Sequence, residues 1–437
     1  MNDTAGNRTL VLDTAEGLNT VHSPSRDLLF DFIFDDAVVR EYVRSAAERE
    51  ATTFVDPNVF CEFCRRVVGT MPAEVVEAPV RDSQIARLER YIAETNRVTD
   101  RFNPHNKPNP GGLFWPDPTR GGPQLADVLP IAERYPFIDQ STIIASAGSC
   151  FAVEIAQNLI QRGFNYLALE KTFDPATGTL VMETDPENPI VQYTCRWGIL
   201  FNTPSFTQIA EHAFGVRSRP NILVKLGTPP NTFYSDPFRE AVIFPSVEAY
   251  EAEQKTHLAN TREAFLKAEV FILTLGLNEA WRYLPDGSYI SRNPRNRAMI
   301  GLLDHRTLTV EENVECLQRF IDIVRAHNSG IKFIVTVSPV PFLATGRSAK
   351  YHVVTANCHS KAVLRVAAEE IVERNKDVFY FPSYEVVTVC SPTIWTEDQR
   401  HIDRSAVARV MDTFDEMFLT RGAKTVLRLR NAQAAGS

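Results

Sequence analysis

The chain alternates short, mainly apolar runs with longer segments in which apolar residues recur every three or four positions. The apolar runs lie at 143–148, 270–275, 332–337 and 378–381. Such runs are typical of parallel strands that are buried on both faces. Helical periodicity is found at 150–162, 246–268, 310–327, 355–374 and 403–421. Strands that alternate with helices of this length predict a parallel sheet covered by helices on both faces.

The sequence outside this alternating region predicts further parts of the chain. Residues 1–26 are polar and irregular, and we expect a flexible arm there. Residues 27–140 begin with apolar positions at helical spacing and are predicted to be a mainly helical extension. We expect the catalytic domain over 141–425 and a flexible tail over 426–437.

A long loop is predicted within the extension. Residues 102–124 are too rich in Pro, Gly and Asn for a helix or a strand. We hypothesise that His105, Phe114 and Trp115 lie across the mouth of a pocket as a lid. The alternative is a surface linker whose aromatic side chains pack on the core, and the sequence does not distinguish the two.

The end of the first apolar run could present a nucleophile. The run stops at Gly148 and is followed by Ser149, Cys150 and a helical pattern. Glycine permits a sharp turn, and the next side chain then lies at the helix end whose N–H groups are free. The helix dipole would favour a thiolate there. Cys150 is therefore the candidate nucleophile and Ser149 its rival, whereas a buried structural cysteine is the alternative.

Two other strand ends and a distant Asp–His pair complete the candidate site. Gly276 with Asn278, and then Ser338, follow two further apolar runs. Since ligands bind at the carboxyl ends of parallel strands, these residues should share one crevice. Asp398 and His401 are three apart, so the carboxylate could fix the imidazole tautomer while the other ring nitrogen faces a nucleophile.

Composition and charge narrow the classes of partner. The 437 residues are 44% hydrophobic and 23% charged, which is ordinary globular usage. A formal charge of -8 argues against nucleic acid or an anionic membrane surface as the main partner. The first thirty residues lack the charged start and apolar core of a secretory signal, and no 18 apolar residues run together, so we expect a cytoplasmic protein.

Cysteine and histidine spacing predicts neither a disulfide framework nor a metal site. The seven cysteines are scattered along the chain. Cys61 and Cys64 are the one closely spaced pair, and within a helical stretch they are better explained by core packing than by zinc. The glycine motifs that bind phosphates are absent, so we expect no nucleotide cofactor.

The segment Gly148-Ser149-Cys150-Phe151-Ala152 resembles the motif that names the GSCFA family, whose members resemble SGNH (GDSL-type) esterases and acyltransferases. The resemblance extends over about residues 142–420. It includes Gly198 and Asn202, the run from Thr274 to Trp281, Ser338 to Pro341, Ser360 with Lys361, and Asp398 with His401. It implies an α/β fold of the three-layer α/β/α, SGNH-hydrolase-like (flavodoxin-like) type.

The resemblance also implies roles for individual residues. A gapless match places Cys150 where SGNH enzymes have the nucleophilic serine and Ser149 where they have an aspartate. Because this departs from the serine pattern, Ser149 could attack instead if the elbow is shifted. His401 would be the general base and Asp398 its orienting partner. The oxyanion hole would consist of the N–H groups of Cys150 and Gly198 and the side chain of Asn278.

These observations predict an esterase or O-acyltransferase that forms an acyl-enzyme on Cys150 with a small-molecule or carbohydrate ester. An acyl-CoA donor is compatible with thiol chemistry, although no residue identifies it. A catalytically inactive carbohydrate- or partner-binding module is the competing hypothesis. The residues predicted to contact the substrate are Gly148, Asn202, Gly276, Glu279, Trp281, Arg282 and Ser338. A surface role is the alternative for Arg282, and we expect Ser360 and Lys361 to be an exposed pair on a helix.

Overall fold

The computed structural model describes residues 24–50, 57–101, 110–131, 133–239, 241–291, 297–392 and 394–435. The chain divides into two compact units, residues 1–113 and 114–437. The domain boundary expected at 140/141 lies inside the second unit. Within the described residues, no helix has both the length and the apolar character needed to cross a bilayer.

Helices form the described part of the first unit. They are α1 (Pro24–Ile33), α2 (Ala37–Glu50), α3 (Pro57–Gly69) and α4 (Ala78–Arg101). Their apolar faces share one core that includes Phe30, Phe60 and Leu88. Cys61 and Cys64 are buried in this core, which confirms the packing interpretation. Of the predicted N-terminal arm, residues 1–23 lie outside the described residues and the rest belongs to α1.

The second unit contains eight described helices and twelve strands. The helices are α5 (Cys150–Gln161), α6 (Thr203–Ala213), α7 (Val247–Lys267), α8 (Val310–Arg325), α9 (Val353–Arg374), α10 (Ser383–Thr388), α11 (Arg404–Phe418) and α12 (Arg421–Ala435). The strands are β1 (Ile144–Gly148), β2 (Phe173–Asp174), β3 (Thr179–Val181), β4 (Val224–Thr228), β5 (Asn231–Ser235), β6 (Val242–Phe244), β7 (Val270–Leu275), β8 (Glu279–Tyr283), β9 (Tyr289–Ile290), β10 (Leu303–Thr307), β11 (Lys332–Val337) and β12 (Val378–Tyr380).

Side-chain caps explain why several of these helices begin where they do. Ser246 accepts a hydrogen bond from the Ala249 N–H at the start of α7. Thr309 and Glu312 form a reciprocal capping box at the start of α8. Asp403 caps α11 in the same way as Ser246 caps α7.

The central sheet is parallel and has the strand order β1-β7-β11-β12. A parallel bridge between Ile144 and Tyr166 adds the segment after α5 on the outer side of β1. The successive parallel segments therefore have the spatial order 2-1-3-4-5, which is the flavodoxin-like order. Its switch point, where ligands bind in such folds, lies between β1 and β7.

Helices cover both faces of this sheet, as the sequence predicted. Along β7, Phe271, Leu273 and Leu275 belong to one core, which they share with residues of α6, α7, α8 and α9. The alternate residues Val270 and Ile272 belong to a second core with α5, α10, α11 and α12. This alternation is the pattern of a strand buried on both sides, and the three-layer α/β/α architecture is confirmed.

Two parts of the second unit differ from the sequence expectation. Two antiparallel sheets, β10-β8-β9 and β2-β3-β6-β5-β4, accompany the parallel sheet and were not predicted. Residues 426–435 are not a flexible tail but the end of α12. Ala423 and Leu427 explain this, because they lie four apart on the helix and both are buried in the second core.

Candidate active site

The turn between β1 and α5 has the geometry that the sequence predicted. Gly148 has a φ of 154°, and a Cβ there would lie 2.7 Å from both the Cβ and the carbonyl oxygen of Thr274. Only glycine fits this close approach to the neighbouring strand. Ser149 is the N-cap residue and Cys150 the first residue of α5, so the thiol lies at the helix end with free N–H groups.

A cavity of about 240 Å³ opens at the carboxyl ends of β1, β7 and β11. Residues predicted from separate parts of the sequence line it together: Ser149, Cys150, Gly276, Glu279, Trp281 and Ser338. Arg400, from the loop that carries the Asp–His pair, also lines it. The cavity lies at the switch point of the sheet, where this fold class binds ligands.

Ser149 and Cys150 differ in their surroundings. Ser149 is buried, and its Oγ has no hydrogen-bond partner in the described part of the chain. Its carbonyl oxygen accepts hydrogen bonds from Ala152 N and Tyr193 Oη. Cys150 is partly exposed and lies close enough to the basic side chains of Arg400 and Lys361 for their charges to act on its thiol.

The resting thiol of Cys150 is not the low-pKa group that the helix dipole alone predicts. Burial raises its pKa above the ordinary value of 9.0. The positive charges of Arg400 and Lys361, and the N–H groups of Phe151 and Cys150, act in the opposite direction without overcoming burial. Attack by Cys150 therefore requires a group that takes its proton.

Lys361 is the residue of this site that sequence reasoning misjudged. It was expected to form an exposed pair with Ser360, but the exposed fraction of Lys361 is 1% and that of Ser360 is 0%. Lys361 Nζ donates a hydrogen bond of 2.8 Å to the carbonyl oxygen of Gly276, which lines the cavity. Burial lowers the pKa of Lys361 to about 7, although the charge of Cys150 acts to raise it.

Asp398 and His401 form the predicted pair. His401 Nδ1 is hydrogen-bonded to Asp398 Oδ2, and Asp398 also accepts hydrogen bonds from His401 N at 2.9 Å and Arg400 N at 3.0 Å. These bonds, with one from Thr396 Oγ1, hold the pKa of Asp398 well below its usual range. His401 Nε2 lies 3.4 Å from an Arg400 nitrogen, and no hydrogen bond joins it to Cys150 within the described residues.

The two predicted oxyanion donors other than Cys150 lie outside the cavity lining. Asn278 is buried, and its Nδ2 donates to the carbonyl oxygen of Leu308 at 3.2 Å. Its backbone N–H donates to Ser360 Oγ at 2.9 Å. Gly198 has a φ of 70°, and it sits in the connection between the segment at Tyr166 and α6. The helix-start N–H groups of Cys150 and Phe151 are the donors that the structure places beside the sulfur.

Comparison with known proteins identifies the family. The GSCFA family profile matches residues 143–414, which is more than half of the chain. The chain belongs to the GSCFA family. Among curated proteins, none matches it. The solved structure of a carbohydrate esterase family 3 from Talaromyces cellulolyticus aligns with 62% of this chain and 94% of that chain, at 9% identity and a TM-score of 0.29, which is too low to support a functional conclusion.

Two polar residues of this GSCFA protein that were predicted to contact substrate are occupied elsewhere. Asn202 caps α6 by accepting from Ser205 N at 3.1 Å, and its Nδ2 donates to the carbonyl oxygen of Ile290 at 3.2 Å. Arg282 pairs with Asp304 at 2.9 Å on the neighbouring strand. Neither side chain lines the cavity beside Cys150.

Glu279 lines the cavity and also builds its wall in this GSCFA protein. Its carboxylate accepts hydrogen bonds from Thr345 Oγ1 at 2.6 Å and Gly346 N at 2.8 Å, and His305 Nε2 lies 3.2 Å away. Burial acts to raise the pKa of Glu279, but the three partners outweigh it and the pKa is lowered. The carboxylate therefore fixes the loop that encloses the cavity from the side of Gly346.

The lid hypothesis concerns three aromatic residues. His105 lies outside the described residues of this GSCFA protein. Phe114 and Trp115 are 67% and 74% exposed, and neither lines the cavity beside Cys150.

Another titratable cluster has the composition of a metal site. Ligand atoms of Glu170, Glu253 and His257 lie within 4.8 Å of one another. Glu253 accepts two hydrogen bonds from Arg239, at 2.7 and 2.8 Å, and Glu170 contacts His257 Nδ1 at 2.9 Å. Arg196 adds a contact to each carboxylate. The donors are thus used by a buried ion-pair network, which leaves no free ligand set for a cation.

Proposed function

We propose that this GSCFA protein is an esterase or O-acyltransferase of the SGNH-like type that forms an acyl-enzyme on Cys150. The observation that supports this most strongly is the partly exposed thiol at the start of α5. It lines a cavity at the switch point of the sheet, and it interacts electrostatically with Arg400 and Lys361. A nucleophile at a helix amino end beside cationic groups is the arrangement that acyl transfer uses.

The proposed reaction has two steps. The Cys150 sulfur attacks the carbonyl carbon of an ester while its proton passes to a base, and the carbonyl electron pair moves to the oxygen. Collapse of this tetrahedral intermediate breaks the bond to the alkoxy group, which takes the proton back from the base and leaves as an alcohol. Water or an acceptor hydroxyl then attacks the thioester in the same way and restores the thiol.

We assign the base to His401. Asp398 holds its Nδ1 side, so Nε2 is the ring nitrogen available for the proton. Its neighbour Arg400 lines the cavity. The distance that separates Nε2 from Cys150 is spanned, in this proposal, by the bound substrate or by movement of the exposed loop that carries the pair.

We further assign Lys361 as a positioning residue that acts through its charge. When protonated, its buried ammonium group stabilises both the Cys150 thiolate and the developing oxyanion, because a charge acts more strongly in a site that excludes water. Its hydrogen bond to the Gly276 carbonyl fixes the amine below the cavity wall. We propose that the N–H groups of Cys150 and Phe151 hold the oxyanion in the first place. The contribution proposed for Gly198 and Asn278 requires a rearrangement on substrate binding, because both lie outside the cavity lining.

The proposed function is tested by hydrolysis of p-nitrophenyl acetate. Cys150→Ala should reduce kcat/KM at least about 100-fold, since the covalent route is lost. Cys358→Ala is the matched control, because Cys358 is an exposed cysteine on α9. Ser149→Ala separates the two candidate nucleophiles.

The outcomes of this assay distinguish among three hypotheses: Cys150 as nucleophile, Ser149 as nucleophile, and an inactive binding module. Loss of activity in Cys150→Ala alone supports the thiol, and loss in Ser149→Ala alone assigns the same chemistry to the serine. Wild-type protein that hydrolyses no acetyl ester, with a Cys150 that iodoacetamide does not modify, contradicts the proposal and favours the inactive binding module.

A further inference from the structure

A second cavity, separate from the one beside Cys150, lies between α6 and α7. Its volume is about 420 Å³, and the two cavities share no lining residue. Gln208 and His212 line it from α6, and Gln254 and Leu258 line it from α7. The proposed ester chemistry uses none of these residues.

The charge of this cavity is one-sided. Four cationic side chains line it: Arg217, Arg219, Arg239 and Lys255. Among the described residues, no aspartate or glutamate lines it. A concave surface with charges of one sign attracts small counter-ions, because the surrounding protein focuses the field into it.

Carboxylates outside the lining neutralise part of this charge. Arg239 is paired with Glu253 through two hydrogen bonds, and Arg219 is paired with Asp236. Lys255 is exposed and forms no ion pair with any described residue. Arg217 lies 3.5 Å from Asp286, so all three arginines are held by carboxylates, and Lys255 is the lining cation without an ion-pair partner among the described residues.

Three nitrogen atoms of the lining are buried and lack a hydrogen-bond partner in the part of the chain that the structure describes. They are Arg219 Nε, Gln254 Nε2 and His212 Nε2. The amide of Gln254 is oriented by a 2.8 Å hydrogen bond that its Oε1 accepts from Arg219, so its NH₂ group is the free end. Leaving buried donors unpaired is costly, and an anionic oxygen would satisfy them.

The pKa values of two lining residues are lowered, mainly by burial and in part by neighbouring positive charges. Burial lowers the pKa of His212 to about 3, and the charges of Arg219 and Arg217 add to this effect. Burial also lowers the pKa of Arg219 to about 10, and the charge of Arg239 contributes. His212 is therefore uncharged at neutral pH, and its ring can donate one hydrogen bond. A bound anion would offset the charges of Arg217, Arg219 and Arg239.

Part of the lining is apolar. Trp197, Ile209, Phe238 and Leu258 supply this surface. A cavity with a hydrophobic lining and a few convergent polar groups is typical of a site for a small organic ligand. The apolar surface would contact the body of such a ligand while the donors hold its charged end.

We propose that the cavity between α6 and α7 binds a small ligand in which an oxyanion, either phosphate or carboxylate, is attached to an apolar body. Arg219, Gln254 and His212 donate hydrogen bonds to the oxyanion, and Lys255 closes the site at its exposed rim. This is a binding site additional to the proposed acyl-transfer site.

Calorimetric titration of the full chain with phenyl phosphate, benzoate and phenol tests this site. The three probes share one ring and differ in charge. We expect an anionic probe to bind at least tenfold more tightly than phenol and to bind more weakly at high salt. Tighter binding of phenyl phosphate identifies a phosphate ligand, whereas tighter binding of benzoate identifies a carboxylate.

Variants of the lining locate the binding. Arg219→Gln should weaken binding about tenfold or more, and Lys255→Gln about fivefold, since each removes a charged contact. If Arg219→Gln does not fold, Lys255→Gln alone tests whether the anion binds in this cavity. Lys255 forms no ion pair with a described residue, so its replacement leaves no carboxylate without a partner. Lys225→Gln, at an exposed position on β4, is the matched control.

Two results would overturn the proposal. One is that neither anion binds more tightly than phenol. The other is that Lys255→Gln binds the anion as well as Lys225→Gln does. Hydrolysis of p-nitrophenyl acetate should be unchanged in Lys255→Gln, which keeps this test independent of the Cys150 chemistry.

Discussion

Replacing Lys361 by methionine should stabilise the protein while making Cys150 less reactive. The exposed fraction of Lys361 is 1%, and burial lowers its pKa from the ordinary 10.5 to about 7. That difference corresponds to ~5 kcal/mol by which burial disfavours the charged amine. Methionine has a similar length and no charge, so the variant does not incur this cost.

The loss of one hydrogen bond reduces the gain. Lys361 Nζ donates to the Gly276 carbonyl at 2.8 Å, and leaving that acceptor unpaired costs about 1–3 kcal/mol. At pH 6 the full cost of burying the charged amine applies, and Lys361→Met should therefore be more stable by about 2–4 kcal/mol.

The stability advantage of Lys361→Met over the wild type must decrease as pH rises. The folded-state pKa of Lys361 lies below the unfolded-state pKa, so the unfolded chain binds more protons between about pH 7 and pH 10.5. Wild-type stability therefore rises with pH through this window. At pH 9 the remaining cost is ~2 kcal/mol, which the lost hydrogen bond offsets, and the two proteins should be about equally stable.

Urea unfolding at pH 6 and pH 9 measures this difference, with Lys225→Met as an exposed control that should match the wild type at both pH values. Iodoacetamide labelling of Cys150 at pH 6, where Lys361 is protonated, measures the effect on the thiol. Labelling should be slower in Lys361→Met because a positive charge near the thiol is lost. A variant that is less stable than the wild type at pH 6, or a stability difference that is the same at both pH values, would refute this reasoning.

Three further perturbations test the site. Gly148→Ala should destabilise the fold by about 3 kcal/mol in urea unfolding, because a Cβ there meets Thr274 at 2.7 Å, whereas Gly330→Ala, with open space around it, should not. The pH midpoint of iodoacetamide labelling of Cys150 should lie above 9 in the free protein, since burial raises its pKa and only the thiolate reacts; a midpoint near 7 would show that the cations outweigh burial. Glu279→Gln should raise KM for p-nitrophenyl acetate about fivefold with little change in kcat, because the wall at Gly346 loses a charged acceptor; an unchanged KM would remove Glu279 from the substrate site.

The parallel sheet could be predicted because its strands are buried on both faces. The runs at 332–337 and 270–275 coincide with β11 and β7, since such strands are nearly continuous in apolar residues. Ser246 predicted the start of α7 through its capping side chain. The antiparallel sheets were missed for two reasons. β2 and β9 have only two residues each, and the five-residue strands, such as β10 with the sequence Leu-Asp-His-Arg-Thr, are not continuous apolar runs.

The position of Lys361 could have been inferred from the helix that carries it. Ala356, Ser360, Leu364, Ala368 and Ile371 are buried and form a stripe along α9 at helical spacing. Extending the stripe of apolar residues towards the start of α9 brings the buried face to Ser360 and its neighbour. The charge of Lys361 predicted an exposed side chain instead, since a buried lysine is rare in proteins.

The spacing of Asp398 and His401 predicted their mutual contact, because residues three apart can share one side of a turn. Their relation to Cys150 depends on how the loop at 394–402 folds against the sheet. Spacing along the chain carries no information on this. The hydrogen bonds made by the side chains of Asn202 and Asn278 could not be predicted for the same reason. Their partners, Ile290 and Leu308, lie far away in sequence.

Trapping the acyl-enzyme tests the central claim most directly. Protein mixed with p-nitrophenyl acetate and quenched in acid within the first turnover is digested, and mass spectrometry locates the added acetyl group. We predict one acetyl group on the sulfur of Cys150, removable by hydroxylamine at neutral pH, as expected for a thioester. An acetyl group on Ser149, or turnover without any acetylated residue between Gly148 and Ala152, would contradict the account.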